Sequence, residues 1–332
     1  AQKARRAMQQ LPTMRFGQSE LEISRVGVGT APMGSTPEWR INWGPQDEGD
    51  AIRAIETALD LGVTWIDTAP FYGWGRAEQI IGRALRGKRD RVYIFTKCGT
   101  IRDEDGGWHE DLSPASMRRE VEESLRNLQT DYIDLYQFHD PDPNVPVEES
   151  WATMQALIRE GKVRYGGLSN YPPDLMERAL AVGPVAGIQH QYSMLARAVE
   201  RHVLPFAQQH GLGLLTWSPL ASGFLTDGFD LTALGPDDFR HWRHPFGQEP
   251  AYSTLVAVRE QLQTIASARH KTLADLALAW VLRHTGLTFA IVGVRNQREA
   301  QALPGALDWE LTDEDLQAVE RALAPWERLG VS

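Results

Sequence analysis

The sequence predicts a (β/α)8 barrel, and three observations carry that expectation. Eight short, near-continuous apolar runs follow one another along the chain, the pattern of strands buried on both faces. Helical patterns fill nearly every gap between them, and eight βα units close naturally into a barrel. The first run leads into "GVGTAPMG", where Gly27, Gly29 and Gly34 miss the GxGxxG spacing with which an open doubly wound sheet usually announces itself. A length of 332 residues is ordinary for one such barrel.

The elements follow in order. Residues 1–13, "AQKARRAMQQLPT", are basic and lack an apolar h-region, so they are expected to be a disordered extension rather than a secretory signal, with the barrel domain spanning 14–332. The first run is "ISRVGVG" (23–29). In "DAIRAIETALDLG" (50–62), Ile52, Ile55, Ala58 and Leu59 keep helical spacing and Gly62 stops the helix. "VTWID" (63–67) and "RVYIFTK" (91–97) are the second and third runs. An insertion at 99–113 precedes a helix in which Ser113 is the N-cap and Pro114 the first helical residue. "YIDLYQFH" (132–139), "VRYGGLS" (163–169), "AGIQHQ" (186–191) and "GLGLLTW" (211–217) come next. Residues 223–252 have no periodicity and many turn residues, the mark of a lid or binding loop. An Ala/Leu-rich helix (273–286) then leads to the last run, "TFAIVGV" (288–294). Both long loops fall on the side where βα loops emerge.

Composition narrows the function classes. With 42% hydrophobic and 23% charged residues the chain has a full globular core. No run of about 18 apolar residues appears, so no membrane span is expected. A formal charge of −10 argues against bulk nucleic-acid affinity, while leaving room for a local cationic pocket. Cys98 is the only cysteine, which excludes an intrachain disulfide and fits a reducing, cytoplasmic setting; its simplest role is that of a small buried apolar residue. No metal site is expected, and one chain leaves the oligomeric state open.

Catalytic groups of a barrel sit at the C-terminal ends of its strands. Reading off those ends gives Asp67, Lys97 and His139, with Tyr72 in the loop after the second run. Singly each has a bland explanation: a turn cap, a surface lysine, a satisfied core histidine. Together they form a chemical set. Asp67 can pair with Lys97, offsetting the cost of burying either. The ammonium would lower the Tyr72 pKa from its ordinary value of about 10. A neutral His139 could position a carbonyl oxygen. Such a group protonates an oxygen as charge develops on it, which suits carbonyl reduction with hydride from a cofactor.

The ordered motifs "NWGPQDEGD" (42–50), "WIDTAPFYGWGRAEQIIGRAL" (65–85), "TKCG" (96–99), "LSPASMRREVEESLRNLQTDYIDLYQFHDPDP" (112–143), "GKVRYGGLSN" (161–170), "IQHQYS" (188–193), "WSPLASGFLT" (217–226) and "LADLALAWVL" (273–282) go further. The chain resembles the aldo-keto reductase superfamily from about Met14 to Leu323, and within it the bacterial members with an NWGxQDE-type segment. The resemblance implies that Tyr72 is the general acid, that Lys97 lowers its pKa, that Asp67 holds Lys97, and that His139 orients the substrate carbonyl. It implies that Ser169, Asn170 and Gln189 bind the nicotinamide carboxamide and that Trp217 stacks on the ring. The segment 218–223, including Ser218, Leu220 and Ser222, would wrap the pyrophosphate.

The adenine end departs from the family's pattern: Gly293, Arg295, Asn296 and Arg298 are present, but Glu299 stands where a Gln or Arg is expected and Ala302-Leu303 replace Glu-Asn. Two arginines favour a 2′-phosphate, hence NADP(H). Glu299 could instead take a free ribose 2′-hydroxyl, so NAD(H) is possible. Asp140, where relatives commonly carry an aromatic, either caps the next turn or faces the pocket, where it would favour polar or hydroxylated substrates. Trp39, Trp43, Trp74, Trp108, His109 and Trp242 are candidates for pocket walls. The implied activity is reversible reduction of aldehydes or ketones. An NAD-dependent aldose or secondary-alcohol dehydrogenase is the near alternative, and a nicotinamide-binding regulatory subunit is the distant one.

Overall fold

A computed structural model describes residues 11–331, and the predicted extension therefore lies mostly outside the described residues. The chain opens with a hairpin, β1 (Thr13–Arg15) and β2 (Glu22–Ser24), in which Thr13 already pairs with Ser24. Alternating strands and helices follow: β3 (Val26–Gly29), α1 (Glu48–Asp60), β4 (Trp65–Asp67), α2 (Arg76–Ala84) and β5 (Tyr93–Cys98). A second hairpin, β6 (Thr100–Arg102) and β7 (Trp108–Glu110), interrupts them. Then come α3 (Pro114–Leu128), β8 (Ile133–Phe138), α4 (Val147–Arg159), β9 (Val163–Ser169), α5 (Pro173–Val182), β10 (Gly187–Gln191), α6 (Val203–His210) and β11 (Gly213–Trp217). The chain ends through α7 (Ala251–Ser267), α8 (Leu273–Val281), β12 (Thr288–Gly293), α9 (Gln297–Ala302) and α10 (Asp313–Glu327).

Strands β3, β4, β5, β8, β9, β10, β11 and β12 are hydrogen-bonded in that order, all parallel, and β12 returns to β3 to close the barrel. Each predicted run contributes one barrel strand. The first run differs: it divides at Arg25, with Glu22–Ser24 in the hairpin and only Val26–Gly29 in the barrel. The helix expected over 273–286 stops at Val281. Helix starts follow local chemistry. The Ser113 side chain accepts from the Ser116 N–H, and Thr272 forms a reciprocal capping box with Asp275.

Two cores result. The outer one packs helices on the barrel wall. The inner one fills the barrel with Trp65, Phe95, Leu135, Leu215, Phe289 and Ile291, joined by Phe16, Leu21 and Ile23 of the N-terminal hairpin. The Phe16 ring lies against the starts of β10 and β11, where a Cβ on Gly187 or Gly213 would come within 2.2 and 2.3 Å of it. Glycine at these positions is what lets the ring seal the N-terminal end of the barrel. The opposite end is left to the βα loops. The insertion at 99–113 holds the β6–β7 hairpin, and 223–252 forms short 3-10 turns at Leu231–Ala233 and Phe239–His241.

Candidate active site

Asp67 closes β4, Lys97 is the penultimate residue of β5, and His139 follows β8. Parallel register puts all three at one rim. Tyr72 arrives on the turn between β4 and α2, and a backbone crossing fixes it there. Gly73 has φ +66°, and a Cβ on it would lie 1.9 Å from the Gly34 carbonyl oxygen, so no larger residue allows this approach.

The four side chains meet. The Lys97 Nζ donates to Asp67 Oδ1 at 2.5 Å and to the Thr68 carbonyl at 2.9 Å, and it lies 3.2 Å from the Tyr72 hydroxyl. The second Asp67 oxygen accepts from Gln189 Nε2 at 2.8 Å and Gln137 Nε2 at 3.3 Å. Asp67 and Lys97 are both buried, yet each charge is compensated and hydrogen-bonded. Burial opposes the Lys97 charge, but Asp67 and Tyr72 outweigh it and raise the lysine pKa, so the ammonium persists. His139 lies edge-on to Tyr72, with ring centroids 5.9 Å apart. Burial and then the Lys97 charge push its pKa well below 6.5, so the imidazole is neutral.

The Tyr72 expectation needs correction. Burial raises its pKa above 10.0, and Lys97 offsets that rise only in part, with Asp67 acting against it. The resting phenol therefore keeps its proton. That is the protonation state a proton donor requires, while the nearby ammonium still favours the phenolate that forms as the proton leaves.

Above these residues lies a cleft of about 1100 Å³. Trp43, Trp108 and Trp242 contribute walls, as expected, and Phe71 adds another. Trp39 instead packs under Phe71 and Tyr72, Trp74 stands behind Phe71, and His109 pairs with Asp103 away from the cleft. Asp140 faces the cleft rather than capping a turn, because Asn170 Nδ2 holds its Oδ1 at 2.9 Å. Buried Cys98 has its thiol pKa pushed up by burial, in keeping with a packing role.

The cleft fits a nicotinamide dinucleotide. Ser169 Oγ is buried at its floor with no hydrogen-bond partner among the described residues, an atom that a carboxamide would satisfy. Asn170 spends both Nδ2 hydrogens on His139 O and Asp140, and its Oδ1 accepts from Trp217 Nε1 at 3.0 Å, so its remaining capacity is as an acceptor. Gln189 likewise spends its amide nitrogen on Asp67 and Gln137, leaving its oxygen. Trp217 presents its indole to the cleft. Ser218, Ala221, Ser222 and Gly223 have φ between 48° and 92° and turn the chain around one edge. Their fold leaves the Leu220 N–H without an acceptor among the described residues, and Ser218 and Ser222 pair through their hydroxyls. A turn of this kind, with backbone N–H groups left free, can cradle phosphate.

At the far end, Gly293, Arg298 and Glu299 line the cleft. Arg295 does not offer its guanidinium as expected. It donates to the carbonyls of Trp43 at 2.8 Å and Pro45 at 2.5 Å and to Gln46 Oε1 at 3.1 Å, which pins the "NWGPQ" segment. Glu299 accepts from the Arg295 N–H and from Asn296 Nδ2, bracing the start of α9. Exposed Arg298 has no hydrogen-bond or ion-pair partner among the described residues, so of the two arginines it is the available cation.

Two participants escaped sequence reasoning. Gln137 stands as a lone amide inside an apolar run, a signal that was there to read. Arg243 lines the cleft from the long loop, with Trp217 and Phe246 rings beside it and no carboxylate partner among the described residues. Nothing in that aperiodic segment singles it out.

The family model described as "Aldo/keto reductase family" matches residues 25–324. The chain belongs to the aldo/keto reductase family. It is 38% identical over 308 residues to aldo-keto reductase YhdN of Bacillus subtilis (strain 168), covering 91% of each chain. It is 32% identical over 328 residues to the NADH-specific methylglyoxal reductase of Escherichia coli (strain K12), covering 94% and 98%. Among solved structures, the glycerol dehydrogenase AKR11B4 from Gluconobacter oxydans superposes with a TM-score of 0.85 at 35% identity, covering 94% and 95%. An aldo/keto reductase from Klebsiella pneumoniae in complex with NADP and acetate gives 0.72 at 31%, covering 94% and 95%. Among the described residues of this aldo-keto reductase, no helix is long and apolar enough to cross a membrane. No His/Cys/Asp/Glu group there is placed to hold a metal.

Proposed function

We propose that this aldo-keto reductase reduces aldehydes and ketones to alcohols, and runs in reverse when conditions favour it, with Tyr72 as the proton donor. The observation that supports this most is the Lys97 ammonium, 2.5 Å from Asp67 and 3.2 Å from the Tyr72 hydroxyl, at the floor of the cleft. A reduced nicotinamide, once bound, supplies hydride to the carbonyl carbon. The chain's own residues do the rest. Neutral His139 donates to the carbonyl oxygen and fixes its position. Tyr72 gives its proton to that oxygen as negative charge builds on it. Lys97 stabilises the resulting tyrosinate, and Asp67 keeps Lys97 charged and aimed. The aromatic walls exclude water from the reacting centre.

Ser169 Oγ, with the free oxygens of Asn170 and Gln189, would hold the carboxamide, and Trp217 would support the ring. Ser218, Leu220 and Ser222 would take the pyrophosphate, with Arg243 as its counter-charge. Gly293 lets the cofactor approach the barrel rim. Arg298 supports NADP(H) as the preferred cofactor, matching the NADP-bound Klebsiella neighbour, and the NADH-specific relative keeps NAD(H) possible. The glycerol dehydrogenase neighbour favours, as a second reading, oxidation of secondary alcohols at the same site. The assembled tetrad speaks against a purely regulatory, cofactor-binding role. The unpaired thiol of Cys98 supports a reducing, cytoplasmic setting. Oxidation of NADPH or NADH in the presence of simple aldehydes, above the rate without them, tests the reading; background rates with every carbonyl and both cofactors contradict it.

A further inference from the structure

Asp140 is an ionisable group lining the cleft that the proposed chemistry leaves unused. It follows His139 directly, so its side chain enters beside the group that would hold the carbonyl oxygen. Its Oδ1 is pinned by Asn170 Nδ2 at 2.9 Å, and Asn170 is fixed in turn by Trp217 Nε1 at 3.0 Å. Its Oδ2 takes no hydrogen bond from any described residue and faces the cleft. The rings of Phe71 and Trp108, packed on each other at 5.0 Å, line the same cleft, and neither residue donates to Asp140 among the described hydrogen bonds. Once cofactor and substrate displace water from the cleft, a half-buried carboxylate oxygen left in this state is costly unless the bound molecule supplies a donor.

We propose that Asp140 is a specificity-determining residue: its free oxygen accepts a hydrogen bond from a hydroxyl on a carbon next to the carbonyl, selecting hydroxyaldehydes and hydroxyketones or, in reverse, polyols. This rests on the reductase reading above. A plain aliphatic aldehyde of the same length leaves Asp140 desolvated and unpaired, so the site works against it as well as for the hydroxylated substrate. Glu110 reinforces the choice. It is held by Thr100 Oγ1 at 3.1 Å behind the cleft wall, and burial and then the Asp140 charge raise its pKa to about 7. The Asp140 carboxylate, with the partly ionised Glu110 behind it, disfavours a substrate carrying its own carboxylate, such as a 2-oxo acid. Burial also raises the Asp140 pKa to about 6, opposed by Asn170 and Lys97, so the acceptor is largely ionised at neutral pH.

The test compares glyceraldehyde with propanal, as the ratio of their kcat/KM values in the wild type, Asp140→Asn and Asp140→Leu. Comparing that ratio between variant and wild type cancels intrinsic differences in substrate reactivity and any general damage to the site. Asp140→Leu is expected to lower it by about tenfold or more. Asp140→Asn, which keeps an acceptor, should fall between. Nicotinamide cofactor binding, read by tryptophan quenching, reports that each variant is folded. An unchanged ratio in both folded variants overturns the assignment of Asp140 while leaving the reductase reading intact. Absence of turnover with both aldehydes in the wild type overturns the reductase reading and this inference with it.

Discussion

Replacing Lys97 by Met separates the two things its ammonium does. The first is structural. Asp67 and Lys97 form a buried pair at 2.5 Å, and removing one partner of such a pair costs roughly 3–5 kcal/mol because the other charge is left uncompensated. Gln189 and Gln137 still donate to Asp67, which places the loss near the lower end, at about 3 kcal/mol. For a chain of 332 residues the unfolding entropy is about 0.7 kcal/mol/K, so the thermal midpoint should fall by about 4 °C. Adding Asp67→Asn removes the stranded charge and should restore much of that loss. The second is catalytic. At 3.2 Å and an effective dielectric of about 20, the ammonium stabilises a tyrosinate by about 5 kcal/mol. If the proton is half transferred in the transition state, losing half of that slows kcat nearly a hundredfold. Calorimetric scans and single-turnover rates of the single and double variants are the assays. A double variant less stable than Lys97→Met alone, with kcat of the single variant near wild type, would refute the reasoning.

Three further outcomes follow from the packing and the charges. Gly213→Ala puts a Cβ 2.3 Å from the Phe16 ring and should cost about 1–3 kcal/mol, with Phe16→Leu in the same chain relieving part of it in thermal scans. Glu120 is buried, and its pKa is pushed from 4.5 to about 8, chiefly by burial, although both its oxygens accept from the Gly99 N–H. A carboxyl raised on folding favours the native state most below its unfolded pKa. The folded chain should therefore lose a few kcal/mol as pH rises from about 4.5 through about 8. Glu120→Gln should flatten that part of the stability–pH curve. Arg298→Ala should weaken NADPH binding about tenfold with little effect on NADH, measured by fluorescence titration; equal effects on both would remove Arg298 from the 2′-phosphate site.

The barrel was legible because parallel strands covered on both faces must be apolar almost throughout, and eight such runs are hard to arrange otherwise. The rim residues were legible because Asp67, Lys97 and His139 break those runs at their ends. What escaped depends on contacts distant in sequence. The N-terminal hairpin is three residues a side, too short to show a period, and only Phe16 docking on Gly187 and Gly213 gives it a role. Arg295 reads as a free cation until the carbonyls of Trp43 and Pro45 are seen on it. The direction in which Asp140 points is set by Asn170, thirty residues on. The Tyr72 pKa lies above its ordinary value because burial, which depends on the folded surroundings, outweighs the ammonium that the sequence makes visible.

Tyr72→Phe is the most direct probe of the central claim, since it removes one oxygen and keeps the ring that packs on Trp39 and Phe71. Nicotinamide dissociation constants and single-turnover hydride transfer would be measured on the same preparation. Near-normal cofactor affinity with turnover lowered by at least a thousandfold is the expected result; turnover within tenfold of wild type would place the proton donor elsewhere.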